Sequence, residues 1–126
     1  MRAIFGIPAL LLAVVIIHYL YSTQHSAPHG QLPPSQQIDL VAVRTDLLAI
    51  AQAERLYLAS HGQYGTLDQL VQSGSLGMSG AGRHGYRYDV VTEGGIRFRI
   101  TARPSASSGT GRPTLSIDET MQIKFR

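Results

Sequence analysis

The sequence has no cysteine among its 126 residues, which removes thiol nucleophiles, thiolate metal sites and disulfides together. It also lacks any formal charge between Ala3 and Tyr21 and any Glu before Glu54. No carboxylate pair, metal-ligand cluster or nucleophile with an adjacent base stands at a useful spacing. The expectation is therefore a protein that is not an enzyme, with no cofactor, no metal and no small-molecule substrate. His61 and His84 border glycine-rich turns without an evident partner. Gly80-x-Gly82-x-x-Gly85 matches the dinucleotide fingerprint in letters, but that motif needs a strand before it and a helix after, the reverse of what the flanks predict. Ala81 stands where the last glycine of a nucleophile elbow would be.

The uncharged opening is 19 residues long, and as a helix it would span roughly 28 Å, close to the thickness of bilayer hydrocarbon. It reads as a transmembrane anchor over 1–21, with Pro8 near the start, where a missing N–H costs least. The best cleavage candidate, His25-Ser26-Ala27, has an unsuitable His three places before the break, so the anchor is expected to be retained. Arg2 places the N-terminus in the cytoplasm. The chain is then a single-pass protein of the inner (cytoplasmic) membrane with its C-terminal domain outside. His18, Tyr19 and Tyr21 suit the headgroup region.

Residues 22–35 hold three prolines and a glycine and read as a linker. His25 and His29 have the spacing of two ligands on a helix face, but Pro28 and Gly30 argue against a helix there. A globular domain is expected over 36–126. Ser35 is the expected N-cap of a helix that ends near Ser60, with Gly62 past its end. Leu40, Val43, Leu47, Ala51 and Leu58 form its apolar stripe, with Ile50 and Tyr57 on the border. Glu54 lies on the same stripe and is expected at the rim, its carboxylate in water, in preference to pairing with an arginine of the sheet.

Thr66 and Gln69 have capping-box spacing and predict a second, two-turn helix closed by Gly74. The loop from Gly74 to Gly85 is expected to be flexible. The period then drops to two, and "GYRYDVVTE", "IRFRITARP", "PTLSID" and "MQIKF" predict four strands of an antiparallel meander. Glu93-Gly94-Gly95 and Asp118 to Thr120 predict tight hairpins. Tyr86, Tyr88 and Val90 share one strand face, as do Ile96, Phe98, Ile100 and Ala102, then Leu115 and Ile117, then Met121, Ile123 and Phe125. The fold class is α+β, a roll in which the long helix packs on this greasy sheet face through Leu47, Ala51, Leu58, Tyr88, Phe98, Ile100 and Ile117.

Charge is uneven. Residues 36–72 hold Arg44 and Arg55 against Asp39, Asp46, Glu54 and Asp68, whereas eight of the 11 basic residues follow from Arg83 onward. Arg97, Arg99 and Arg103 alternate with apolar residues and so share the open face of the sheet, with Arg87 and Lys124 alongside. These five form a candidate face for an anionic ligand: lipid headgroups, anionic polysaccharide or nucleic acid.

The order of pieces resembles the type IV pilins and the pseudopilins of type II secretion, from about Arg44 to the C-terminus. The family's "Y…G.Y.tl..L" turn is matched by Tyr57, Gly62, Tyr64, Thr66, Leu67 and Leu70, and its "GY.Y" strand by Gly85, Tyr86 and Tyr88. An "A.P" strand end is matched by Ala102 to Pro104, and the last hairpin by Gly111, Thr114, Leu115, Ile117, Asp118, Thr120 and Ile123. The resemblance implies a pilin-like roll and partners in the membrane and in a pilus or secretion assembly. Departures are as informative. Where the family has Gly followed by Phe, with a Glu at the fifth mature position, this chain has Gly6 followed by Ile7, and Leu11 in the fifth place. The peptidase site and the carboxylate that sets filament register are thus both missing, and Met121 replaces the hairpin glycine. The expected function is a membrane-anchored structural or interaction protein, an accessory of such an assembly. The alternative is an extracytoplasmic module that binds an anionic ligand on the basic face.

Overall fold

A computed structural model describes residues 16–17, 32–78 and 82–126. The chain divides into two units, Met1–Pro33 and Pro34–Arg126, and the second holds every element from the long helix onward. The transmembrane anchor expected over 1–21 lies outside the described residues except for Ile16 and Ile17, which are helical. The linker before Leu32 and His18, His25 and His29 also lie outside them. Among the described residues no helix is long and apolar enough to cross a membrane.

The long helix α1 runs Pro34–His61. It begins two residues before the expected start, because a proline at the first helical position gives up an N–H that would have had no partner. Ser35 therefore lies inside the first turn and is not the cap. The helix ends where Gly62 adopts φ +74° and donates its N–H to the Leu58 carbonyl at 2.8 Å. Val43, Leu47, Ile50, Ala51 and Tyr57 are buried, whereas Leu40 and Leu58 are only half-buried. The inward face is thus turned from the expected stripe toward the line 43, 47, 50, 54, 57, which carries Glu54 into the core.

The short helix α2 spans Leu67–Gln72 and is opened by the predicted capping box. The Thr66 hydroxyl accepts the Gln69 N–H at 3.3 Å, and the Gln69 side-chain oxygen accepts the Thr66 N–H at 2.8 Å. Of the segment that follows, expected to be a flexible loop, residues 79–81 lie outside the described residues. Leu76 and Met78 are buried, and the Leu76 N–H returns to the Leu70 carbonyl at 3.0 Å. Two of its later residues form a strand of their own.

The sheet is antiparallel with five strands in the order β1-β2-β3-β4-β5: Gly82–Arg83, Tyr86–Glu93, Arg97–Pro104, Leu115–Asp118 and Lys124–Phe125. Nearest neighbours in sequence are nearest neighbours in space. The fifth strand not foreseen is β1, which pairs Gly82 with Arg87 and Arg83 with Tyr86 across a turn at His84 and Gly85, both at positive φ. The Glu93–Ile96 hairpin closes as expected through Gly94 and Gly95 at φ +59° and +73°. Ile96 belongs to that turn, so it is 77 % exposed and not on the core face. The predicted strand "MQIKF" contributes only Lys124 and Phe125. Met121 is spent on the preceding turn at φ +62°, and its N–H donates to the Asp118 carbonyl at 2.9 Å.

Register fixes the two sheet faces. The rows Tyr88–Ala102–Leu115, Val90–Ile100–Ile117 and Thr92–Phe98 lie under α1. Phe98 is buried and meets Tyr64 edge to face, with centroids 4.8 Å apart. Met121 and Ile123 are half-buried against this core, while Phe125 is half-exposed with the Arg44 guanidinium 5.8 Å over its ring.

Candidate functional site

Alternation along β2 and β3 sends Arg87, Arg97, Arg99 and Arg103 to the face away from α1, all of them exposed. Lys124 on β5 pairs with Ser116, which pairs with Thr101, so it shares that face. The five residues read from the sequence are therefore on one surface, but they are not one site. Lys124 is 3.1 Å from the Asp118 carboxylate and Arg97 is 4.0 Å from Glu119, so each has a countercharge. Asp118 also accepts from Thr120 through both its backbone N–H and its hydroxyl. Those bonds, with Lys124 behind them, hold its carboxyl below the usual range.

At the other end of the face Arg87 and Arg103 are direct cross-strand partners on the same side of the sheet. Neither forms an ion pair with a carboxylate among the described residues, nor does Arg99, although Asp118 stands opposite it in the register. Arg126 joins them. It exchanges both backbone hydrogen bonds with Thr114 at 2.8 and 2.9 Å, and with Thr114, Arg103 and Arg99 it lines a cleft of about 330 Å³ floored by Thr101 and Ser116. Arg103 also lines a broader, open cleft of about 1020 Å³ with Arg87, Ser105 and Ser107. The period-two pattern contained the signal for Arg126, because it stands two residues beyond Lys124.

Among the described residues three polar clusters, buried or partly buried, anchor α1 to the rest of the domain. Tyr88 Oη donates to Asp46 Oδ2 at 2.8 Å, with Arg83 at 3.5 Å and His84 at 3.7 Å from the same carboxylate. Burial and the adjacent Asp46 charge push the Tyr88 hydroxyl far above its ordinary range. Arg112 donates to Asp39 at 2.8 Å and lies 5.8 Å over the Tyr86 ring, whose hydroxyl is pushed up by burial. Glu54 is fully buried, neither at the rim nor paired with an arginine. Its Oε2 accepts the Gly65 N–H at 2.9 Å, and its Oε1 has no partner. Burial raises its pKa above the carboxylate norm, and the Gly65 bond opposes this only in part. His84, read as partnerless, thus faces Asp46, and His61 stacks on Tyr57 with ring centroids 3.9 Å apart. Sequence separations of 42 and 73 residues gave no local signal for the first two clusters.

The outward side of α1 is the other surface of note. Ile38, Val41, Leu48 and Leu56 are 70, 64, 38 and 57 % exposed. The helix's acids are elsewhere: Asp39 is held by Arg112, while Asp46 and Glu54 are buried. Its exposed charges are Arg44 and Arg55. Among the described residues no group of three acidic or histidine side chains could hold a metal ion. Compared with known proteins, the chain matches no family model, no curated protein and no solved structure.

Proposed function

We propose that this chain is a membrane-anchored, pilin-like structural and interaction protein, an accessory of a pilus or type II secretion assembly. Its domain stands outside the inner membrane, held by a retained membrane anchor over 1–21, and it works by binding partners and not by catalysis. The reading rests on the outer stripe of α1. A helix that only covers a sheet is apolar on one side and polar on the other. This one is apolar on both, with Ile38, Val41, Leu48 and Leu56 spread over about 27 Å of the solvent side. The flanking charges Arg44 and Arg55 select a partner helix that is apolar with carboxylates beside its stripe, and they oppose a second copy of α1. The helix-on-meander architecture agrees with the roll that the resemblance implies. Ile7 and Leu11, in place of the family's Phe and Glu, make the role that of an accessory in the membrane and not that of a filament subunit.

The test is a tagged full chain in a host that carries such an assembly, with surface filaments sheared from membranes. Tag confined to membranes, and assembly lost on Leu48→Asp with thermal stability kept, is the expected result. Abundant tag in sheared fibres with its N-terminus trimmed to Ile7 would overturn it. A second reading, a binding module for an anionic ligand, is favoured by the unpaired arginines of the open sheet face.

A further inference from the structure

The cross-strand placement of Arg87 and Arg103 is one that a solvated sheet face ordinarily avoids. Like charges directly opposite each other destabilise an antiparallel pair. Here the pair is exposed, unpartnered and continued by Arg126 across β4 and β5 through Thr114. Arg99 stands four residues before Arg103 on the same strand face and shares its smaller cleft. Three strand spacings set the row at about 14 Å from Arg87 to Arg126, more than one phosphoryl group can cover. Two carboxylates share this face: Asp89 lines the broader cleft and Asp118 stands opposite Arg99 in the register, yet neither forms an ion pair with these arginines.

The chemistry of the lining narrows the ligand further. Guanidinium forks bind phosphate oxygens bidentately, and the Thr101, Thr114 and Ser116 hydroxyls supply neutral donors between them. No aromatic side chain alternates onto this face of β2, β3 or β4, so the stacking platform used for single-stranded nucleic acid is absent from these strands. We infer that Arg87, Arg103 and Arg126, with Arg99 beside them, form a site for a ligand that presents two or more phosphoryl groups. This rests on the second reading above. It replaces the five-residue face by a four-arginine site that excludes Arg97 and Lys124. The source is either clustered anionic lipid headgroups or a free oligophosphate.

The experiment is calorimetric titration of the full chain in non-ionic detergent with sodium tripolyphosphate, with orthophosphate, and with micelles doped with phosphatidylglycerol. Tripolyphosphate or the doped micelles should bind, with orthophosphate at least tenfold weaker. Binding of tripolyphosphate alone assigns a free oligophosphate, and binding of doped micelles alone assigns a headgroup. Arg103→Gln should weaken binding at least tenfold, while Arg97→Gln and Lys124→Gln should change it less than twofold. Without ligand, Arg103→Gln should also raise the melting temperature, because it removes a repulsion. A purely structural arginine would do the opposite. Equal losses from Arg97→Gln and Arg103→Gln would overturn the four-arginine site while leaving a diffuse anionic face. Binding of none of these anions would overturn both, and binding only of duplex DNA, with its loss spread over all the cations, would overturn the site.

Discussion

Tyr88 on β2 donates its hydroxyl hydrogen to Asp46 on α1 at 2.8 Å, inside a helix–sheet interface where both residues are buried. A buried carboxylate deprived of such a donor keeps its desolvation cost. Tyr88→Phe should therefore cost about 1–3 kcal/mol, and Asp46→Ala a similar amount. In the double mutant the losses should fall short of additive by about 0.5–3 kcal/mol. Urea unfolding of the four proteins checks this, and strict additivity would mean that the bond contributes nothing net.

Glu54 makes the opposite case. With its folded-state proton affinity raised by burial, it contributes stability that is present below its unfolded pKa and lost as pH rises through the folded value. At neutral pH, above its unfolded value, that contribution is diminished. Glu54→Gln keeps an oxygen for the Gly65 N–H, so it should raise the melting temperature at pH 7 and make little difference near pH 4. For a domain of this size each kcal/mol moves the midpoint by about 4–8 °C. A drop at pH 7 would show that the charge itself is needed.

His84 sits at φ +55° immediately before Gly85 at φ +75°, the pair of left-handed residues that an Asn-Gly turn favours. His84→Asn should stabilise by about 0.5–1 kcal/mol, because Asn adopts the left-handed conformation at less cost. Thermal melts of the two proteins measure this, and a lower midpoint for the variant would mean that the His84 contact with Asp46 at 3.7 Å outweighs the backbone gain.

Phe98 fills the space between α1 and the sheet, and Tyr64 abuts its ring. Phe98→Ala should cost about 3–5 kcal/mol, enough to unfold most of a small domain at ambient temperature. Ile96→Ala, two residues away on the exposed turn, should change stability by less than about 0.5 kcal/mol. Similar losses at both positions would mean that the face of β3 is misassigned.

What the sequence determined by itself is local. The capping box at Thr66, the stop at Gly62, the turn at Gly94 and Gly95 and the alternation of β2 and, from Phe98 onward, of β3 each depend on residues within a few positions of one another, and each stands as read. The arginines of β3 could be assigned to one face for the same reason. Tertiary structure decided what depends on the angle and reach of one element against another. A rotation of α1 about its axis made Ile50 and Tyr57 central, left Leu58 half-buried and drew Glu54 into the core, because helical periodicity defines a stripe only to within its width. β1 exists because β2 offered an edge for it to pair with. The basic face became selective only through its neighbours: Asp118 and Glu119 neutralised Lys124 and Arg97, while Arg87 and Arg103 met across a ladder with no acid between them. Charges along a strand can be read from its sequence, but a countercharge lies on whichever strand comes alongside, and strand pairing is a property of the folded sheet.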